Sequence, residues 1–139
     1  MIEREFVYPL RVHIDDTDFL GSVYHANYLK FMERARSEWM EELGFGIRWQ
    51  QANRIAFLVH SLQMRFLKPA ALHELVEVAS LIKMVRSASL VFDQYLRLAG
   101  SPDKIFCIAE IKVACVDSKM QPAAIPEIST FKKIWRANT

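Results

Sequence analysis

Three aspartates, Asp15, Asp16 and Asp18, stand a few positions before Tyr24 and His25. The pattern predicts a helix from about Tyr24, and the first turn of a helix has unpaired backbone N–H donors and a partial positive charge. Such a helix start can hold an anion or polarise a carbonyl oxygen. A carboxylate that faces it can attack the polarised carbon or activate a water molecule. The spacing therefore predicts acyl transfer or hydrolysis at this junction.

Asp18 is the first candidate for a catalytic residue, because a loop that folds back places its carboxylate opposite the helix start. Two routes stay open from the sequence: attack as a nucleophile, or action as a general base on water. An aspartate that only caps the turn or the helix is the competing interpretation. Asp15 is interpreted as solvated, and Asp16 as a residue that anchors the loop by hydrogen bonds.

A long amphipathic helix must position this junction. Apolar residues recur every three or four positions from Tyr24 to Leu43, and Gly44 is the predicted helix end. Asn27 is predicted to cap the helix or to bond to the acidic loop, and the cap is favoured. Glu33 and Arg36, three residues apart, are predicted to form a solvated pair on its surface, outside the chemistry.

The remaining pattern predicts an antiparallel sheet, because the connections between successive strands are too short for crossover helices. On the third strand, Val76, Val78, Ile82 and Met84 are expected to line one face. A connector at Phe45 to Arg54 with a short helical turn and a final helix at Pro126 to Trp135 complete the chain. The predicted strands are Phe6 to Ile14, Ala56 to Phe66, Glu74 to Arg86, Ser89 to Ala99 and Lys104 to Asp117. The fold class is α+β, with one long helix against an antiparallel sheet in a single domain spanning residues 1–139.

Composition excludes several classes of function. A formal charge of +2 is too small for a nucleic-acid binder. No apolar run is long enough to span a membrane and no signal peptide is recognisable, so a cytoplasmic protein is expected. Cys107 and Cys115 lie on one predicted strand roughly 27 Å apart, so they are expected to be buried free thiols.

The segment D-D-T-D-F-L-G-S-V-Y-H-A-N-Y-L-K-F-M-E-R-A-R, from Asp15 to Arg36, resembles the signature of hotdog-fold acyl-CoA thioesterases of the 4-hydroxybenzoyl-CoA thioesterase type. It is most similar to their YbgC branch, whose genes lie with the Tol-Pal cell-envelope system. The resemblance continues through Ser89 to Gln94 and Cys115 to Pro122. One departure is Phe19-Leu20, which stands where the family commonly has a small Ala-Gly pair, and it puts the length of the acyl group in question.

The resemblance implies a hotdog fold and hydrolysis of short- to medium-chain or aryl acyl-CoA thioesters to free acid and coenzyme A, with acyl carrier protein thioesters also conceivable. Asp18 matches the catalytic aspartate of the family. His25 matches a second polar position, from which it would orient the carbonyl, protonate the leaving thiolate or position Asp18, although a structural hydrogen bond is the simpler role. The backbone N–H groups near Tyr24 and His25 are the expected oxyanion donors.

Arg86 and Ser87 match the region where relatives bind coenzyme A across a subunit interface, although solvated hairpin residues are the simpler interpretation. The resemblance also implies a homo-oligomer, a dimer or a dimer of dimers (homotetramer). Edge-to-edge pairing of two sheets would produce such an assembly by covering an exposed strand.

No metal and no cofactor are expected, because the sequence has no phosphate-binding glycine motif, no paired C-x-x-C and no H-E-x-x-H. Two other functions stay open: a non-catalytic acyl-CoA-binding or scaffolding hotdog module of the cell envelope, and a hotdog hydratase. The presence of both Asp18 and His25 argues against the first, since binding requires neither.

Overall fold

The computed structural model describes residues 5–137. One long helix packs against one five-stranded antiparallel sheet, as predicted, and most predicted boundaries lie within three residues of the observed ones. The elements are β1 Phe6–Arg11, α1 His25–Leu43, α2 Ile47–Ala52, β2 Ile55–Phe66, β3 Leu75–Arg86, β4 Ser89–Leu98, β5 Ser101–Asp117 and α3 Ile128–Arg136.

The strand order in the sheet is β1-β3-β4-β5-β2, with every neighbouring pair antiparallel. β1 and β2 are therefore the two edges. β1 contains Pro9, whose missing N–H is tolerated at an edge. β2 is the longer edge, at 12 residues, and exposes Leu58, Val59 and Leu62. Such an apolar edge is a ready surface for pairing with another strand.

Helix α1 buries one stripe against the concave face of the sheet. Its buried residues include Tyr28, Phe31, Met32, Ala35 and Trp39, while the opposite face is exposed. Gly44 ends the helix in the left-handed conformation, with φ +87°, and its N–H donates to the carbonyl oxygen of Glu41. The predicted helix end is confirmed.

Two details of the predicted sheet are wrong. β3 has a bulge between Ile82 and Met84, so the alternation shifts by one residue and Val85, not Met84, is buried. β5 begins at Ser101 rather than at Lys104, because the chain already turns at Gly100, where φ is +78°. Pro102 is accommodated inside the irregular start of that strand.

Cys107 and Cys115 are buried free thiols on β5, as predicted. Burial raises the pKa of the Cys107 thiol to about 12, which keeps it protonated and unreactive at neutral pH. No helix among residues 5–137 has the length and apolar character that crossing a membrane requires.

Candidate active site

The loop that carries the aspartates is held by backbone hydrogen bonds on both sides. Within the loop, the N–H of Asp18 donates to the carbonyl oxygen of Ser22 at 2.9 Å, and Gly21 takes the positive φ of +83° that this tight turn requires. Against the segment before β3, the N–H of Val23 donates to the carbonyl oxygen of Ala70 at 2.9 Å. The loop is thereby fixed to the rest of the protein at its base.

Asp16 ties this loop to the helix. One carboxylate oxygen accepts the N–H of His13 at 2.9 Å, and the other accepts the side-chain amide of Asn27 at 3.2 Å. Its carbonyl oxygen accepts the N–H of Tyr24 at 2.9 Å. The anchoring role predicted for Asp16 is confirmed, whereas the prediction that Asn27 caps the helix is wrong, because its amide bonds to the loop instead.

Asp18 is half-buried, and its carboxylate has one oxygen in use. Oδ1 accepts the N–H of Leu20 at 2.9 Å, and Oδ2 has no hydrogen-bond partner among residues 5–137. Burial is the main cause that raises the pKa of Tyr28 on α1, and the negative charge of Asp18 is among the smaller causes. One oxygen therefore fixes the turn while the other is free to react.

The start of α1 has open donors. Tyr24 is the N-cap residue and forms no side-chain cap, and its own N–H is already donated to Asp16. The amides of His25 and Ala26 have no acceptor within the described part of the chain, as expected for a first helical turn. Of the predicted oxyanion donors, the amide of Tyr24 is already occupied. The amides that remain unpaired are those of His25 and Ala26.

Aromatic rings surround this helix start. The exposed imidazole of His25 lies 4.4 Å from the Tyr24 ring and 6.5 Å from the ring of Phe66, at the end of β2. The ring of Tyr28 lies 5.4 Å from the ring of Phe66. The hydroxyl oxygen of Tyr28 accepts the N–H of Ala70. His25 therefore lies at the start of α1 between aromatic rings, with its imidazole exposed to solvent.

Phe19 and Leu20, the bulky pair after Asp18, point away from the protein. Their side chains are 95% and 75% exposed, respectively. Neither fills the space between Asp18 and the helix start within this chain. Within the protomer, this bulky pair therefore leaves the space beside Asp18 open.

Comparisons with known proteins assign the chain to a family. A family model described as the thioesterase-like superfamily matches residues 12–130. The chain belongs to this thioesterase superfamily. An acyl-CoA thioester hydrolase YbgC of Escherichia coli O6:H1 is 38% identical over 131 residues, which cover 92% of this chain and 96% of that protein. An acyl-CoA thioesterase YbgC of Haemophilus influenzae is 37% identical over 129 residues, which cover 91% and 93%.

Among solved structures, a probable thioesterase from Bartonella henselae superposes with a TM-score of 0.81 at 28% identity, over 88% of this chain and 99% of that one. The predicted hotdog fold and the predicted similarity to the YbgC branch are both confirmed. The expected class, a thioester hydrolase, is confirmed as well.

The predicted coenzyme A residues of this hotdog thioesterase lie far from Asp18 in the same protomer. Arg86 ends β3, and Ser87 follows in the hairpin turn, whereas the Asp18 loop packs beside the segment that precedes Leu75. At about 3.4 Å per residue, the length of β3 separates the two by roughly 35 Å. Arg86 and Ser87 can therefore meet the Asp18 site only from a second copy of the chain.

Sequence reasoning missed one charged residue of this thioesterase. Arg36, expected on the solvated helix surface, is buried at 7% exposure, and it has no ion pair with Glu33. Its Nη1 donates to Oε1 of Gln94 at 2.8 Å, and the amide of Gln94 donates to Ser80 and to the carbonyl oxygen of Met32. The helical spacing could have indicated this burial, because Arg36 lies four residues from Met32 and from Met40, within the apolar stripe.

Arg36 forms part of the wall of a cavity of about 520 Å³ between α1, α2 and the sheet. Apolar walls come from Met40, Phe57, Leu90 and Phe92, and the mouth is lined by exposed residues of β2. Across residues 5–137, no three His, Cys, Asp or Glu side chains lie close enough together to hold a metal ion.

Proposed function

We propose that this protein hydrolyses acyl-CoA thioesters to a free acid and coenzyme A without a metal or redox cofactor. The observation that carries the proposal is that Asp18, with one carboxylate oxygen unpaired among residues 5–137, lies in the loop that leads into α1, where the amides of His25 and Ala26 are unpaired as well. An ionised carboxylate and an oxyanion site on opposite sides of a carbonyl are what thioester cleavage requires.

Two routes use the same residues. In the first, the free oxygen of Asp18 bonds to the thioester carbon, the C–S bond breaks, and water then hydrolyses the mixed anhydride to regenerate the carboxylate. In the second, Asp18 removes a proton from a water molecule that attacks the carbon directly. In both, the amides of the first helical turn stabilise the oxyanion, and His25 gives the leaving thiolate a proton or orients the carbonyl.

A second copy of the chain would complete the site. Two β2 strands paired antiparallel over their full length bring Ile55 of one copy opposite Phe66 of the other, about 5 Å apart. Phe66 adjoins His25, and the β3–β4 hairpin lies at the end of the sheet where Ile55 begins β2. Arg86 and Ser87 of the second copy would then approach the first copy's site, where a cation suits the phosphates of coenzyme A.

The proposal also covers the acyl group, the assembly and the location of the protein. We place the acyl group in the short- to medium-chain or aryl range, with acyl carrier protein thioesters as a further substrate class. The assembly is proposed to be a dimer or a homotetramer, linked by function to the Tol-Pal system. Two buried free thiols fit the reducing cytoplasm, which is where we place the protein.

A thiol-release assay over a panel of acyl-CoA thioesters, from acetyl to dodecanoyl with benzoyl included, tests the proposal. We expect stoichiometric release of free thiol and free acid with at least part of this panel. Binding of acyl-CoA without thiol release would favour the scaffolding module instead. Addition of water to an enoyl-CoA without thiol release would favour the hydratase.

A further inference from the structure

The cavity beside Arg36 has an electrostatic feature that its apolar walls do not explain. A guanidinium group has five N–H donors, and the one that Gln94 accepts leaves the others without an acceptor among the residues that the structure describes. A buried, incompletely paired cation is costly, and burial lowers the pKa of Arg36 to about 10. The unused donors border a space that a ligand can enter.

The acidic residues at this cavity do not supply the missing acceptor. Glu41 accepts the N–H of Ile47 at 3.1 Å and thereby serves the start of α2. Glu33 is exposed and contributes to Arg36 only a weaker effect at longer range, which raises the arginine's pKa by less than burial lowers it. The guanidinium therefore suits an oxygen acceptor brought by a ligand, and a carboxylate fits its fork best.

The cavity lies at the end of β2 opposite to the helix start, which is where a paired second copy would place its own Asp18 site. Within one chain, Arg36 is 11 residues beyond His25, or about 16 Å along the helix. Phe57 and Leu58 at the start of β2 line the cavity, whereas Phe66 at the end of β2 touches His25. Antiparallel pairing of two β2 strands therefore places the cavity of one copy beside the helix start of the other.

We propose that this cavity receives the far end of the acyl group held at the Asp18 site of the paired copy. Arg36 selects acyl groups that end in an oxygen acceptor, with a terminal carboxylate preferred over a methyl group. The inference rests on the proposed hydrolase function and on pairing through β2, and it makes Arg36 a specificity-determining residue.

Adipoyl-CoA and hexanoyl-CoA test this selection, because both have a six-carbon acyl chain and only adipoyl has a terminal carboxylate. We expect kcat/KM for adipoyl-CoA to exceed that for hexanoyl-CoA by about tenfold or more in the wild type, as for one charged hydrogen-bonding partner. Arg36→Met should lower the adipoyl-to-hexanoyl ratio by at least about tenfold, and Arg36→Lys should restore part of it.

A second variant keeps the test independent of the folding of Arg36→Met. Ser37 lines the cavity from the exposed face of α1, so Ser37→Phe should fill the cavity without disturbing the core. We expect it to lower kcat/KM for both six-carbon substrates at least about fivefold more than for acetyl-CoA, which is too short to reach the cavity.

A wild type that prefers hexanoyl-CoA, or a ratio that Arg36→Met leaves unaltered, would overturn the selection while Asp18-dependent hydrolysis still stood. No thiol release from any thioester would instead remove the proposed function, and the inference with it. Co-expression of Asp18→Asn and Arg36→Met chains tests the pairing. Mixed oligomers should hydrolyse adipoyl-CoA faster than the two separate preparations combined, and no gain would contradict a cavity that serves the other copy.

Discussion

Gln94 joins the helix and the sheet through polar contacts inside the core. It is fully buried, it accepts from Arg36, and it donates to Ser80 and to the carbonyl oxygen of Met32. Each of these hydrogen bonds is stabilising, because an orphaned buried polar group costs about 1–3 kcal/mol. Gln94 therefore holds Arg36 in the cavity wall.

We predict that Gln94→Leu lowers the free energy of unfolding by about 2–4 kcal/mol, since it removes the acceptor of the buried Arg36 guanidinium and the donor to the buried Ser80 hydroxyl. Urea denaturation followed by circular dichroism measures this change. Gln51→Leu, the same substitution at an exposed position of α2, is the matched control and should change stability by no more than about 0.5 kcal/mol. Equal effects of the two substitutions would refute the structural importance of the network.

The sequence indicates a residue's role most clearly where its chemical type and its place in an element point to the same role. Asp18 and His25 became candidates from the sequence because a polar pair at a helix start also matches a family motif. The burial of Arg36 was not recognised, because a charge at a three-residue spacing from Glu33 resembles a surface pair. The hydrogen bond from the Tyr24 N–H to the Asp16 carbonyl oxygen could not be predicted either. It depends on the path of the loop backbone at Asp16, which no local sequence pattern specifies.

At the scale of elements, α1 has two unlike ends. Its start has no side-chain cap and leaves the amides of His25 and Ala26 unpaired within residues 5–137, whereas its end is closed by Gly44 in the left-handed conformation. The end was predictable because glycine has no Cβ to strain that conformation. The bulge in β3 was not predictable, because Val76, Val78, Ile82 and Met84 continue one apolar alternation through it and only the pairing with β4 shows the shift.

We predict that Gly44→Ala lowers the free energy of unfolding by about 1 kcal/mol, because alanine at φ +87° is strained. No atom lies within 4 Å of the added methyl group, so the effect would be conformational rather than steric. A denaturant midpoint measures it, and Lys30→Ala on the exposed face of α1 serves as the control. A shift no larger than the control's would show that the helix end tolerates the strain.

At the scale of the whole molecule, the two sheet edges differ in length and exposure. β2 is twice as long as β1 and presents apolar side chains, which favours β2 as the edge that pairs. The sequence predicted that an edge would pair but not which one, because the strand order depends on contacts far apart in the chain. Pairing through β2 is also what would unite Asp18 with Arg86 and Arg36.

We predict that Leu62→Lys on β2 separates the oligomer into monomers and abolishes thioesterase activity, because it buries a charge in the paired edge. Light scattering coupled to size-exclusion chromatography measures the mass. Val7→Lys, a matched substitution on the exposed part of β1, should leave the assembly intact. The reverse result, dissociation by Val7→Lys alone, would assign the interface to β1.

In the proposed mechanism the free carboxylate oxygen of Asp18 performs the chemistry, and thiol release by Asp18→Asn measures its contribution. The asparagine oxygen can still accept the N–H of Leu20, so the turn is retained while the reactive charge is lost. Asp15→Asn makes the same change of charge on an exposed neighbour. We predict a loss in kcat of at least about a hundredfold for Asp18→Asn and near-normal turnover for Asp15→Asn. Near-normal turnover by Asp18→Asn would contradict the mechanism.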